Sequence, residues 1–208
     1  MSDTIVKTGT TTVALTTDEG VLLAADRRAS LGGRFVSNKN VQKVQTILPT
    51  AALTMAGGVG DLQAFIRTLR AEASLYETRR DHPIDMAALS TLAGNLFRNG
   101  PYRGGQPTLG GVDATGAHIY SLDGAGGVME DDYIAAGSGM QLAYGVLERE
   151  YDPDLSLEGA RRVAANAVES AVQRDTASGN GVTIATVTGD GVEIRTYDEF
   201  AEVTEVAA

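Results

Sequence analysis

From Thr10 onward the chain alternates apolar and polar residues in short runs, changes to a three-and-four spacing, and then repeats the cycle before a final pair of runs. Thr10 to Thr17 and Val21 to Ala25 are β-prone stretches flanking Asp18-Glu19-Gly20, where glycine supplies the positive-φ turn position, so they predict a hairpin. A second pair, Lys43 to Leu48 and Ala51 to Ala56, turns at Pro49 and runs out into Gly57-Gly58-Val59-Gly60. Leu62, Phe65, Ile66, Leu69, Ala73 and Tyr76 then recur at helical spacing. A break at Asp81-His82-Pro83 precedes a second predicted helix over Ile84 to Phe97, and the Gly/Pro-rich loop Arg98 to Pro107 closes that half. Strands are predicted again at Thr108 to Val112, Ala117 to Leu122 and Tyr133 to Ala136. Helices follow at Met140 to Arg149 and Ser156 to Arg174, and a hairpin of Val182 to Thr188 with Val192 to Thr196 turns at Gly189-Asp190-Gly191.

Helices grouped in pairs between groups of strands fit a doubly wound parallel sheet poorly. Two antiparallel sheets packed face to face, each covered outside by a helix pair, give every apolar stripe a partner. The predicted fold is therefore α+β, a four-layer αββα sandwich. No linker or fixed-period repeat divides it, so residues 10–208 read as one domain and residues 1–9 as a short leader.

Composition sharpens this by exclusion. Hydrophobic residues make up 43% of 208 residues, mostly Ala, Val and Leu, with four Phe, seven Tyr and no Trp, which predicts a core of small side chains. The net charge of -10 and the lack of a basic cluster argue against a nucleic-acid partner. Lys7, Lys39 and Lys43 are the only lysines, and an acidic, lysine-poor surface resembles proteins of salt-loving organisms, in which salt screens self-repulsion. With no cysteine there is no disulfide, thiol nucleophile or cysteine-ligated metal, and the interior of a reducing cell is the natural compartment. No run approaches the roughly 18 to 20 apolar residues of a membrane span, and Met1 to Gly9 has no apolar signal core. His82 and His118 lack metal-ligand spacing, and Gly124 to Gly127 lacks the ending of a phosphate loop, so neither a cofactor nor a metal is expected.

The candidate chemistry starts at Thr10. A threonine hydroxyl is a poor nucleophile unless something takes its proton. If the small residue Gly9 marks a cleavage point, Thr10 gains a free α-amine beside its hydroxyl. Such an amine has an unperturbed pKa near ~7.7, against ~10.4 for lysine, and can act as general base for its own hydroxyl.

Six segments in this order and spacing carry a specific resemblance: Gly9-Thr10-Thr11-Thr12, Ala24 to Arg28, Asn38-Lys39-Asn40 leading to Lys43, Ala56 to Asp61, Gly137-Ser138-Gly139, and Arg174 to Gly179. The chain resembles, from Gly9 essentially to its end, a β subunit of the proteasome core particle of the archaeal type, an N-terminal-nucleophile hydrolase and threonine peptidase. The resemblance implies autocatalytic removal of a propeptide at Gly9–Thr10 and Thr10 as the nucleophile. It places the family lysine on Lys43, with one extra residue in the Leu31 to Arg34 turn, and its acidic partner on Asp26. Gly57 falls where a backbone amide helps to hold the oxyanion. Ser138, Asp175 and Ser178 match residues around the amine, and Ala29, Met55 and Val59 match the primary specificity pocket, whose apolar character implies cleavage after apolar side chains. Arg27 and Arg28 are expected to be structural ion-pair formers.

The same resemblance implies a cytoplasmic particle of two heptameric β rings stacked between α-subunit rings, fed with unfolded proteins by an ATP-dependent unfoldase. The apolar faces of the helices Leu62 to Tyr76 and Ala160 to Val172 are the candidates for contact with neighbouring subunits. Two other readings stay open at this level. One is a structural β-type subunit without catalysis, and the other is a different N-terminal-nucleophile amidohydrolase acting on small amides.

Overall fold

The computed structural model describes residues 9–205 other than Arg103. The first hairpin consists of β1 (Thr11–Thr17) and β2 (Gly20–Asp26), followed by a short hairpin of β3 (Ala29–Leu31) and β4 (Phe35–Asn38) and a third of β5 (Val44–Leu48) and β6 (Ala51–Ala56). Helices α1 (Val59–Arg80) and α2 (Met86–Asn99) lead to β7 (Gln106–Asp113), β8 (Gly116–Leu122), β9 (Val128–Asp131) and β10 (Tyr133–Gly137). Helices α3 (Met140–Glu150) and α4 (Leu157–Val172), the hairpin β11 (Val182–Thr188) and β12 (Gly191–Tyr197), and the short helix α5 (Ala201–Glu205) follow.

Two five-stranded antiparallel sheets result, one in the order β10-β1-β2-β11-β12 and the other β5-β6-β7-β8-β9. Side-chain alternation explains why they stack. In β2, Leu22 and Ala24 face the core beneath α3 and α4, whereas Val21, Leu23 and Ala25 face the layer between the sheets. In β6, Leu53 and Met55 face α1 and α2, and Ala52 faces the intersheet layer. Small residues let the sheets approach closely. A Cβ on Gly110 of β7 would lie 2.8 Å from Val21 Cγ1 of the facing sheet. The architecture is thus the expected αββα sandwich.

The helices start where their sequences supply caps. Asp85 accepts from the backbone N–H of Ala88 to open α2, and Ser156 does the same for Gly159 to open α4. The apolar stripes of α1 and α4 are not free for neighbouring subunits. Leu62, Phe65, Ile66, Leu69 and Ala73 are buried in the core under one sheet, and Ala160, Val163, Ala164, Ala167 and Val168 in the core under the other. This corrects the expectation drawn from periodicity. A helical stripe satisfies the protein's own sheet first, and among the described residues the large exposed apolar side chains include Leu31, Phe35 and Val36 of the β3–β4 hairpin instead. No helix of the described residues is long and apolar enough to cross a membrane.

Antiparallel pairing brings several strand ends to one edge of the sandwich. Thr11 at the start of β1 lies opposite Gly137 at the end of β10, and Thr12 lies opposite Ala25, one residue before the end of β2. Asp26 pairs with Val182, and Ala56 at the end of β6 pairs with Gln106. Residues remote in sequence meet here because each sits at a strand terminus on the same edge.

Candidate active site

Thr10 is buried, with 3% of its surface exposed. Its hydroxyl Oγ1 donates to the carbonyl oxygen of Gly9 at 2.7 Å, so it lies against the peptide bond that precedes it. Its backbone N–H donates to Ser138 Oγ at 3.2 Å. Gly9 fits for a reason its neighbours supply. A Cβ built there would lie 1.8 Å from Ala177 Cβ and 2.9 Å from Ser138 Oγ, so close approach rather than a special backbone angle demands glycine. The Gly9 N–H donates to the buried Ser30 Oγ at 3.4 Å. Gly9→Ala is accordingly expected to displace the 9–10 peptide from Ser138 and prevent cleavage there. Intact mass of the purified protein checks this, and normal processing of Gly9→Ala would contradict it.

Beneath this peptide lies a buried ion pair. Lys43 Nζ, just before β5, donates to Asp26 Oδ1 at 2.7 Å. Asp26 is fully buried and accepts three backbone N–H groups besides: Thr11 at 2.9 Å on Oδ1, and Arg28 at 3.0 Å and Gly179 at 2.9 Å on Oδ2. A buried carboxylate with four donors is well satisfied, which is the condition under which such a pair is tolerated. Burial holds the Lys43 ammonium below the ordinary lysine value of 10.5, against the opposing attraction of Asp26 and, more weakly, Asp175, while Arg28 adds to the lowering.

A second polar chain approaches from the other side, and proton counting gives it a direction. Ser138 Oγ donates to Asp175 Oδ2 at 2.5 Å, and Ser178 Oγ donates to the same oxygen at 2.6 Å. Each hydroxyl has one proton. Ser138 therefore accepts from the Thr10 N–H, and Ser178 accepts from the Thr11 hydroxyl at 2.8 Å. The chain runs inward from both threonines to one carboxylate.

Among the described residues, Arg28 holds this loop by hydrogen bonds and not by an ion pair. Its guanidinium donates to Thr176 O and to Asn180 Oδ1, which amends the sequence expectation for this residue. Arg27 does pair with an acid, Asp198. Both readings rested on charge alone, and charge does not distinguish a carboxylate from a loop carbonyl as the partner.

Thr10, Lys43, Gly57, Ala29, Met55 and Val59 line one cavity of about 20 Å³ that also touches Gly9. That is room for about one water. Through Val41, Val59 and Leu62 the cavity adjoins an open groove of about 490 Å³. The far walls of the groove carry Asn40, Gln42, Gln63 and Arg67. The structure thus brings together all the residues singled out from sequence: Thr10, Asp26, Lys43 and Gly57 around the 9–10 peptide, Ser138, Asp175 and Ser178 behind the Thr10 nitrogen, and Ala29, Met55 and Val59 around the cavity. Sequence reasoning missed Thr11, Ser30 and Ala177. Thr11 had one visible signal, its place in the Thr10-Thr11-Thr12 run.

Arranged this way, the site offers a hydroxyl against a carbonyl, a nearby ammonium, and a hydrogen-bonded track to the nitrogen. These are the components of acyl transfer to a threonine. The profile described as "Proteasome subunit" matches residues 6–187. The chain belongs to the proteasome subunit family. It is similar to "Proteasome subunit beta 2" of Haloterrigena turkmenica, 65% identical over 201 residues that cover 97% of this chain and 85% of that protein. It is also similar to "Proteasome subunit beta" of Halorhabdus utahensis (62%, covering 96% and 86%) and of Halomicrobium mukohataei (62%, covering 95% and 84%). Within the family it is of the archaeal β type, a hydrolase of the N-terminal-nucleophile, threonine-peptidase class.

Proposed function

We propose that this proteasome β-type chain becomes active when the Gly9–Thr10 bond is cut, and that Thr10 then hydrolyses peptide bonds of unfolded proteins. The observation that carries this is the Thr10 hydroxyl lying 2.7 Å from the Gly9 carbonyl oxygen, in the same cavity as Lys43. In self-cleavage, Thr10 Oγ1 bonds to the Gly9 carbonyl carbon as the C–N bond breaks and the nitrogen takes a proton. Water then hydrolyses the ester, freeing residues 1–9 as a carboxylate and Thr10 as an amine.

In turnover the amine accepts the hydroxyl proton while Oγ1 attacks a substrate carbonyl. The amine passes that proton to the departing peptide amine, and water releases the acyl group from the ester. The Gly57 N–H is the proposed oxyanion donor. Lys43, held by Asp26, favours the alkoxide by charge and disfavours a protonated amine. Ser138, Asp175 and Ser178 orient the amine by the hydrogen-bond chain that already fixes the Thr10 N–H. Ala29, Met55 and Val59 favour apolar side chains before the cut, with Met55 adaptable in shape.

Assembly into stacked rings with α-type subunits, feeding by an ATP-dependent unfoldase and residence in the cytoplasm belong to the same proposal. They are supported by the relatives' description as proteasome β subunits. No metal, cofactor, membrane or nucleic acid takes part in it. The test is co-expression with a candidate α subunit, native sizing, and hydrolysis of a fluorogenic peptide with an apolar residue before the reporter. Activity confined to a large particle is expected, and a small monomeric amidase would overturn the reading.

The pH profile provides a separate check. Lys43 must be protonated to act, and its pKa is lowered from 10.5, so the ammonium is lost at a lower pH than for an ordinary lysine. The alkaline limb of kcat/KM is expected below 10.5. A profile that stays flat to that value would contradict the role given to Lys43.

A further inference from the structure

Two polar ties join the facing sheets at the edge that carries Thr10. One is Lys43–Asp26. The other lies on the opposite side of Thr10, where Gly137 N–H donates to Gln106 Oε1 at 2.9 Å. Strand β10 is an edge strand, so its N–H groups that point away from β1 have no strand to receive them. At Gly137 a side chain of the other sheet takes that role.

The surroundings make this contact consequential. Gly137 lies opposite Thr11 and immediately precedes Ser138, which receives the Thr10 N–H. It has a φ of +92°, and a Cβ there would sit 1.9 Å from Thr10 O and 3.2 Å from Ala56 Cβ. Gln106 itself pairs with Ala56, the residue before Gly57. Gly105 packs on the same elements, since a Cβ on Gly57 would lie 3.0 Å from Gly105 Cα and one on Gly105 would lie 2.8 Å from Met55 Sδ.

The geometry points to Gln106 as a positioning residue. Its amide oxygen anchors the Gly137-Ser138 turn to the strand end that bears Gly57, setting the spacing between the nitrogen-side hydrogen-bond chain and the carbonyl-side wall of the site. Gln106 makes no bond to Thr10 in this arrangement and acts through Gly137 and Ser138. The inference rests on the proposed role of Thr10, and its failure is separable from failure of that role. If wild type lacks Thr10-dependent peptidase activity, the proposed function fails. If wild type has it and the Gln106 variants behave as wild type, only this inference fails.

The test compares Gln106→Met, which keeps length without an acceptor, with Gln106→Glu, which keeps an acceptor oxygen, in the assembled particle. Gln106→Met is expected to lower kcat about tenfold, as loss of one positioning hydrogen bond implies, with KM changed less than about twofold. Gln106→Glu is expected to recover most of kcat at neutral pH. Wild-type kcat in Gln106→Met, an equal loss in both variants, or a change confined to KM would overturn the assignment. Hydrogen exchange of the Gly137 amide in the wild-type protein covers the case in which Gln106→Met fails to assemble. Protection is expected, and exchange at the rate of an open amide would overturn the assignment.

Discussion

Thr10→Ala should abolish peptide hydrolysis and leave residues 1–9 attached. In the proposed mechanism the hydroxyl is the atom that bonds to the acyl carbon in both self-cleavage and turnover, and among the described residues no neighbouring hydroxyl is free to replace it. Ser138 and Ser178 already donate their protons to Asp175, and the Thr11 hydroxyl is tied to Ser178. Removing the nucleophile of a hydrolase lowers kcat on the order of 10⁶-fold. The fold should survive, because Thr10 lies outside β1 and, among the described residues, its side chain makes one hydrogen bond, to its own neighbour Gly9. Thr10→Ser keeps the hydroxyl and should retain cleavage and measurable turnover. Peptidase assays paired with intact mass distinguish these outcomes, and a processed, active Thr10→Ala protein would sink the account.

Lys43→Met should have the next largest effect, lowering kcat/KM by about 10²- to 10⁴-fold, the range in which positioned proton-transfer groups contribute. The design of the site makes this variant informative. Without Lys43, Asp26 still accepts from the N–H groups of Thr11, Arg28 and Gly179, so the carboxylate keeps most of its partners. Asp26→Ala removes the acceptor for those same three N–H groups and leaves the Lys43 ammonium buried beside none of its present acceptor. It should therefore damage folding as well as chemistry, since each orphaned buried group costs about 1–3 kcal/mol and an unpaired buried charge costs more. A Lys43→Met protein that assembles, melts near wild type and hydrolyses peptides at the wild-type rate would remove Lys43 from the mechanism.

Much of this is legible in the sequence, for reasons particular to each element. The hairpins β1–β2 and β11–β12 were readable because their turns are short and contain glycine, and α1 and α4 because their apolar stripes repeat at helical spacing. Strand and helix ends moved by only a few residues, as frayed ends do. The β3–β4 hairpin was not legible. Its second strand, Phe35–Asn38, is exposed throughout, so no buried face imposes alternation on the sequence. Strand β9, Val128–Asp131, is an edge strand rich in acids and gave equally little signal.

At the site, types of residue were legible and relations were not. Gly9 drew notice as a small residue before a threonine run, but the reason it must be small, the proximity of Ala177, depends on a residue 168 positions away in the chain. Ser30 and Gln106 are ordinary polar residues in sequence, and only the fold, which stacks the sheet of Gln106 on that of Gly137, brings one to the Gly9 N–H and the other to the Gly137 N–H. The stripes on α1 and α4 show the converse error. Periodicity reported an apolar face correctly but could not say whether the chain's own sheet or another subunit covers it.

The proposed function requires Thr10 to work as a terminal residue. Intact mass spectrometry of the co-expressed, sized and peptidase-active particle tests it most directly. The β chain is expected to have lost residues 1–9 and to begin at Thr10. Full peptidase activity from a chain in which Gly9 remains joined to Thr10 would contradict it.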